Sequence, residues 1–248
     1  MKKEKILGFD VCNENEEKII KNIFSDYNEG KQSIIFSINP EIIVNKNKDN
    51  EYIQLLNNEK YQIPDGIGIV YASKLNKGKI KERITGIDMM EKLCKESVNY
   101  KSKIFLYGAK AGVAEDAKIQ LEKKYSGINI VQTCNGYIEE SIALDNIIKA
   151  KPDILFVGLG SPKQEEFILN NKEKLKNIRI LMPVGGSFDV ISQNLSRAPN
   201  WVIKMNLEWL HRLVKQPIRI FRQIKLLKFI FYVITNKIRK KEKKNVKN

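Results

Sequence analysis

The chain has 248 residues, enough to bury one sizeable core, and 42% of them are hydrophobic. Its formal net charge of +15 is uneven: residues 201–248 carry 14 Lys and Arg against Glu208 and Glu242, while the first 200 hold 30 bases and 27 acids. Three scattered cysteines and a lone histidine, His211, give neither a disulfide framework nor metal-ligand spacing, so no metal is expected.

The first 195 residues alternate short apolar runs with segments of helical period, which predicts an α/β fold with a mostly parallel sheet flanked by helices. Residues 6–11 read as a strand. Asn13 with Glu16 resembles a capping box, opening a helix that Gly30 stops. Residues 33–38 read as the second strand, and Pro40 suits the first turn of a helical pattern that continues to about Asn58. Ile63-Pro64-Asp65-Gly66 is a turn signal before another helix. Residues 84–97 are helical, with Thr85 and Asp88 at capping spacing. Then come a strand at 103–107, a loop at 108–112, a helix at 113–124 and a strand at 128–133. A helix at 141–150, a strand at 154–157, a helix at 162–175 and a strand at 178–183 close the series. The alternation ends near 196–199. This divides the chain into an α/β core, 1–195, and a basic amphipathic helical appendage, 196–248.

Two strand–loop–helix junctions are rich in glycine, Tyr107-Gly108-Ala109-Lys110 and Val157-Gly158-Leu159-Gly160-Ser161. In an open parallel sheet such junctions lie at the carboxyl ends of strands, where ligands bind and amides at a helix start favour phosphate. Neither carries the full dinucleotide fingerprint, which argues against a nicotinamide oxidoreductase. Ser161, Pro162 and Gln164 read as a capping box at a helix start. Lys163 beside that helix N-terminus is placed against the dipole, a conflict that an anionic ligand would resolve. Asp65 reads first as a turn residue in Pro64-Asp65-Gly66, with a catalytic carboxylate as the alternative. Ser37 and Asn39 end a strand at the edge where sites form. Arg83 reads as a solvated charge or a bidentate phosphate contact. His211 has no carboxylate or cysteine partner nearby in sequence and is assigned no chemistry.

These segments together resemble the WecG/TagA/CpsF family of glycosyltransferases, glycosyltransferase family 26. The matching stretches include Ser37-Ile38-Asn39-Pro40-Glu41, Pro64-Asp65-Gly66, Arg83-Ile84-Thr85-Gly86, Asn135-Gly136-Tyr137 and Gly158-Leu159-Gly160-Ser161-Pro162-Lys163-Gln164-Glu165. Val184-Gly185-Gly186-Ser187-Phe188-Asp189, Arg197-Ala198-Pro199 and Leu207-Glu208-Trp209-Leu210 follow in order, so the resemblance spans nearly the whole chain. It implies a Rossmann-like fold of the GT-E type. It also implies inverting transfer of N-acetylmannosamine, or another sugar in a capsule or exopolysaccharide pathway, from a UDP donor. The implied acceptor is undecaprenyl-diphosphate-linked N-acetylglucosamine, as in synthesis of the wall teichoic acid linkage unit.

Under the resemblance Asp65 is the general base and Arg83 stabilises the departing diphosphate. Ser37, Asn39, Gly108, Asn135, Tyr137, Gly158, Gly160, Lys163 and Gln164 bind donor and acceptor. No cofactor is implied. The tail interleaves aromatic and aliphatic residues with basic ones, a pattern suited to an anionic membrane surface and also to nucleic acid. The resemblance favours the membrane over nucleic acid and places Arg212, Arg219 and Arg222 near the lipid diphosphate. No run reaches the roughly 20 apolar residues of a span, and the first ten residues lack a signal-peptide core. The expectation is a cytoplasmic enzyme held peripherally on the inner membrane face, with a homo-oligomer expected off it.

Overall fold

The computed structural model describes residues 1–195, 197–205, 207–215 and 220–245. Its elements run β1 (Lys3–Ile6), β2 (Phe9–Cys12), α1 (Glu16–Asn28), β3 (Ser33–Ile38), α2 (Pro40–Lys46), α3 (Asn50–Asn57) and β4 (Tyr61–Pro64). Next come α4 (Ile67–Leu75), α5 (Gly86–Asn99), β5 (Lys103–Gly108), α6 (Val113–Lys124), β6 (Asn129–Cys134) and α7 (Glu140–Ala150). The chain continues through β7 (Ile154–Gly158), α8 (Lys163–Asn170), β8 (Ile180–Pro183), α9 (Ser187–Ile191), α10 (Asn200–Lys204), α11 (Glu208–Lys215) and α12 (Ile220–Asn245).

Among the described residues six strands form one sheet in the order β4-β3-β8-β7-β5-β6, and every pairing in it is parallel. Parallel strands are covered on both faces, so they read as continuous apolar runs. Alternate residues of β7 show this: Leu155 and Val157 enter one core cluster, Phe156 the other. Helices α2, α3, α7 and α8 cover the first face; α1, α5, α6 and α9 cover the second. The fold class expected from the sequence is the one found.

The order of the strands sets where a ligand can bind. After β7 the chain crosses one face through α8 to β8, and after β5 it crosses the opposite face through α6 to β6. Chains that leave neighbouring strands in opposite directions open a crevice between their carboxyl ends. Here that point lies between β5 and β7, where Gly108 and Gly158 pair side by side. A Cβ at Gly108 would sit 2.4 Å from the Gly158 carbonyl carbon and oxygen, and its φ is +133°. Only glycine fits.

Three local expectations are corrected. Residues 6–11 are not one strand: Leu7 and Gly8 both have positive φ and turn β1 back onto β2 as a hairpin. The first helix is capped by Asn15, which accepts from the Lys18 amide at 3.0 Å, rather than by Asn13. The helical pattern from Pro40 to Asn58 is two helices, because the Asp49 side chain caps a fresh start by accepting from the Tyr52 amide.

The described part of the basic segment lies against the core. Phe229 and Val233 of α12 are 1% and 3% exposed and join the cluster containing β3 and α2. Burying a side chain the size of Phe229 contributes about 2–3 kcal/mol. Its ring approaches within 3.4 Å of the point where a Cβ on Gly68 would stand, so α12 rests closely on α4. Lys225 completes the seat with an ion pair to Glu41 at 3.0 Å. No described helix is long and apolar enough to cross a membrane.

Candidate active site

The carboxyl ends of the parallel strands open into a cleft of about 1080 Å³. At one end β4 delivers Asp65 and β3 delivers Ser37 and Asn39. The β4 junction is tied on both sides: the Asp65 amide donates to the Ile38 carbonyl at 2.9 Å, and the Ile84 amide to the Pro64 carbonyl at 2.9 Å. The second bond brings Arg83 to the same wall. At the other end the glycine loops after β5, β7 and β8 form the floor.

Ser37, Asn39, Asp65, Arg83, Tyr137, Gly158, Gly160, Lys163 and Gln164 all line this cleft. Two expected contacts do not. Gly108 lies beneath the floor, packed on Gly158. Asn135 spends its side-chain oxygen on the Tyr137 amide at 3.0 Å, which sets the turn that presents Tyr137, 78% exposed, at the mouth. Arg219 lies outside the described residues, as do the side chains of Arg212 and Arg222.

The partners of each group decide what it can still do. The Asn39 side chain accepts from the Ile42 amide at 2.9 Å and caps α2. Ser37 Oγ is buried and has no hydrogen-bond partner. Arg83 donates to Glu208 of α11 at 3.2 Å, with side chains 12% and 6% exposed. The first turn of α8 departs from the expected box: α8 has no side-chain cap bond, and Ser161–Pro162 is cis. Instead Gln164 Oε1 accepts from the Gly160 amide at 3.2 Å and from the Gly185 amide at 2.9 Å.

Electrostatically the cleft is mixed. Lys110 and Lys163 stand on the glycine-loop side, with Arg83 opposite, among several carboxylates. Four loop amides are engaged internally, Ala109 on Gly158, Gly136 on Ala109, and Gly160 and Gly185 on Gln164, so two of those in the junctions expected to face phosphate, Ala109 and Gly160, are already bonded. Charge on a ligand therefore falls largely to the cations here. Among the described residues no three His, Cys, Asp or Glu side chains gather as metal ligands.

Sequence reading missed Glu165, Glu208, Lys110 and Leu226 as cleft residues. Glu165 is 2% exposed, and burial pushes its carboxyl above the ordinary range despite a hydrogen bond from Gln164. Its motif neighbours pointed to the loop; nothing in an acidic first helical turn marks a buried acid.

An open parallel α/β sheet with loops at its switch point is the frame of a protein that takes its ligand at the carboxyl ends of the strands, and here a carboxylate follows an edge strand into the same cleft. The model of the Glycosyl transferase WecG/TagA/CpsF family matches residues 4–243, and the chain belongs to this family. It is 35% identical to an N-acetylglucosaminyldiphosphoundecaprenol N-acetyl-beta-D-mannosaminyltransferase of Bacillus subtilis (strain 168), over all of this chain and 94% of the relative. Proteins of the same name from Staphylococcus aureus (strain MRSA252) and Bacillus spizizenii (strain ATCC 23059 / NRRL B-14472 / W23) are 34% and 32% identical. These matches cover 96% and 87% of this chain and 94% and 83% of the relatives.

Proposed function

We propose that the protein is an inverting transferase that moves N-acetylmannosamine from UDP-N-acetylmannosamine to undecaprenyl-diphosphate-linked N-acetylglucosamine, the step that builds a wall teichoic acid linkage unit. One observation carries this reading: Asp65, at the end of edge strand β4, lines the same cleft as the glycine loops after β7 and β8. Three strand spacings, about 14 Å, separate β4 from β7, room for a sugar between base and diphosphate.

In this account Asp65 takes the proton of the acceptor hydroxyl as that oxygen attacks the anomeric carbon of the donor. The bond from that carbon to the diphosphate oxygen breaks on the opposite face, inverting the centre. Negative charge then gathers on the leaving UDP, where Lys163 and Lys110 offset it, with Arg83 on the opposite wall. Ser37 shapes the cleft wall beside Asp65.

The acceptor's lipid fixes the reaction to a bilayer surface, and the appendage supplies the contact. Outward-facing Ile224, Leu227, Phe231, Ile234 and Ile238 of α12 are 47%, 68%, 62%, 48% and 51% exposed and recur every three or four residues. An apolar stripe flanked by lysines lies in the interface of an anionic membrane, each cation adding about 1 kcal/mol. The residues from 196 onward act as the membrane-facing unit on a core of 1–195, at the cytoplasmic face.

The test is to supply undecaprenyl-diphosphate-N-acetylglucosamine in vesicles with one UDP-sugar at a time and to weigh the lipid product. UDP-N-acetylmannosamine should add one N-acetylhexosamine. Product from a different UDP-sugar alone would move the protein to another polymer pathway.

A further inference from the structure

The first turn of α8 contains a hydrogen-bond relay that reaches across the sheet. Gln164 Oε1 accepts from two backbone amides, those of Gly160 in the loop after β7 and Gly185 in the loop after β8. An amide oxygen has two lone pairs, so these donors use both of them. They also dictate the amide's orientation, since Nε2 in the same place would face two further N–H groups. Nε2 therefore points away, and Glu165 Oε1 receives it at 2.9 Å. Both side chains are almost fully buried, Gln164 at 6% and Glu165 at 2% exposed.

The far side of Glu165 is unusual. Its Oε2 is sealed from solvent and has no hydrogen-bond partner. Tyr52 Oη is likewise sealed and unpartnered, and the tyrosine is close enough to feel the Glu165 charge. No cation pairs with this carboxyl among the described residues. Besides Gln164, only neutral donors act on the carboxyl, the Ser161 hydroxyl and the residue's own amide; a carboxylate kept for its charge would be paired with a cation, and one kept as an acceptor need not be.

We infer that Glu165 is a positioning residue for the transfer reaction: its carboxyl oxygen locks the Gln164 amide, which in turn fixes the spacing of the two glycine loops on which the donor's diphosphate rests. This rests on the donor-site reading above. It assigns Glu165 no contact with substrate and no proton transfer. Its role is that of an acceptor, so the neutral form serves as well as the charged one.

Two conservative changes should have opposite effects. Glu165→Gln retains a carbonyl oxygen at the same reach and discards the charge. Glu165→Asp retains the charge but falls one methylene short of Gln164, leaving a buried amide donor unpaired. Loss of the acceptor that holds Gln164 should shift donor handling about tenfold, whereas the buried NH2 group that E165Q adds in place of the unpartnered Oε2 lies away from Gln164 and should lower stability rather than donor binding.

The experiment compares wild type, E165Q and E165D as full-length protein, by calorimetric binding of UDP and by steady-state transfer with donor and acceptor varied in turn. E165Q should bind UDP and turn over within about threefold of wild type. E165D should raise the donor KM and the Kd for UDP about tenfold, leave the acceptor KM unmoved and keep the folded circular dichroism spectrum. Impairment of E165Q with E165D spared would overturn the inference, because charge would then be what matters; equal impairment of both would also overturn it, because an acceptor oxygen at the right reach would not suffice. Unchanged UDP binding in E165D would overturn it as well. If E165D does not fold, E165Q alone decides, since a loss of UDP affinity there contradicts an acceptor role. A wild type that binds no UDP would instead remove the donor-site reading itself.

Discussion

Arg83 and Glu208 meet at 3.2 Å across the mouth of the cleft, joining the loop before α5 to the start of α11. The two residues lie 125 positions apart in the sequence, and both side chains are nearly buried. Removing one member of such a pair leaves the other charge with little solvation. Glu208→Gln should lower stability by about 1–3 kcal/mol and speed tryptic cleavage within 200–215. Thermal melts and timed proteolysis measure both, and unchanged values would mean that the pair does not anchor α11.

A second buried acid sits at the opposite pole of the sheet. Asp26, 5% exposed, accepts from Lys60 at 2.6 Å, from Tyr61 at 2.6 Å and from Ser33 at 3.4 Å. Burial opposes its charge, but the bonds from Lys60, Tyr61 and Ser33 outweigh that and hold the carboxyl below its ordinary value. A depressed folded pKa means that stability is fully present above the unfolded value, near 3.9, and is lost as pH falls through the folded one. Asp26→Asn should lower the melting temperature at pH 7 and flatten its decline below pH 4, as calorimetry across pH would show.

At the switch point the prediction is steric. Gly108→Ala places a methyl group 2.4 Å from the Gly158 carbonyl at a φ that L residues avoid. The expected cost is at least about 2 kcal/mol, with weaker UDP binding because the floor of the cleft must shift. Gly160→Ala is the internal comparison: nothing lies within 4 Å of its added Cβ, so only its φ of +78° opposes it, and the loss of stability should be smaller.

Much of this arrangement is legible in the sequence. The strand at 33–38 and the helix at 113–124 fall where their apolar periods and glycine stops put them. Strand β4 is not legible, because a four-residue run containing Gln62 and Pro64 reads as a turn. Gln62 is fully buried, its Nε2 donating to the Leu56 and Glu59 carbonyls while its Oε1 has no partner, and Pro64 is tolerated at the end of an edge strand. The polar residue that breaks the apolar pattern is a tertiary device.

The cleft shows the same division. Lys163 and the glycine loops declare themselves because strand–loop–helix junctions gather at one edge, whereas Asp65 reads as a turn residue until the family resemblance singles it out. The reach of Gln164 to Gly185 spans 21 residues and has no local signal. Nor does the pairing of Arg83 with Glu208, 125 residues apart.

The outer stripe of α12 gives a prediction for the membrane. Leu227→Glu with Phe231→Glu adds two negative charges to a face whose inner side, Phe229 and Val233, is untouched. Co-sedimentation with anionic vesicles should fall at least tenfold, with the melting temperature held within about 2 °C. Retained sedimentation would place the membrane contact elsewhere.

Asp65→Asn tests the chemistry most directly, because it keeps the size of the side chain and removes the base. The measurement is single-turnover transfer to lipid-linked N-acetylglucosamine, with UDP affinity taken on the same preparation. Turnover should fall at least about 100-fold while the Kd for UDP stays within about twofold. Turnover within a few-fold of wild type, with the cleft still binding UDP, would contradict the account.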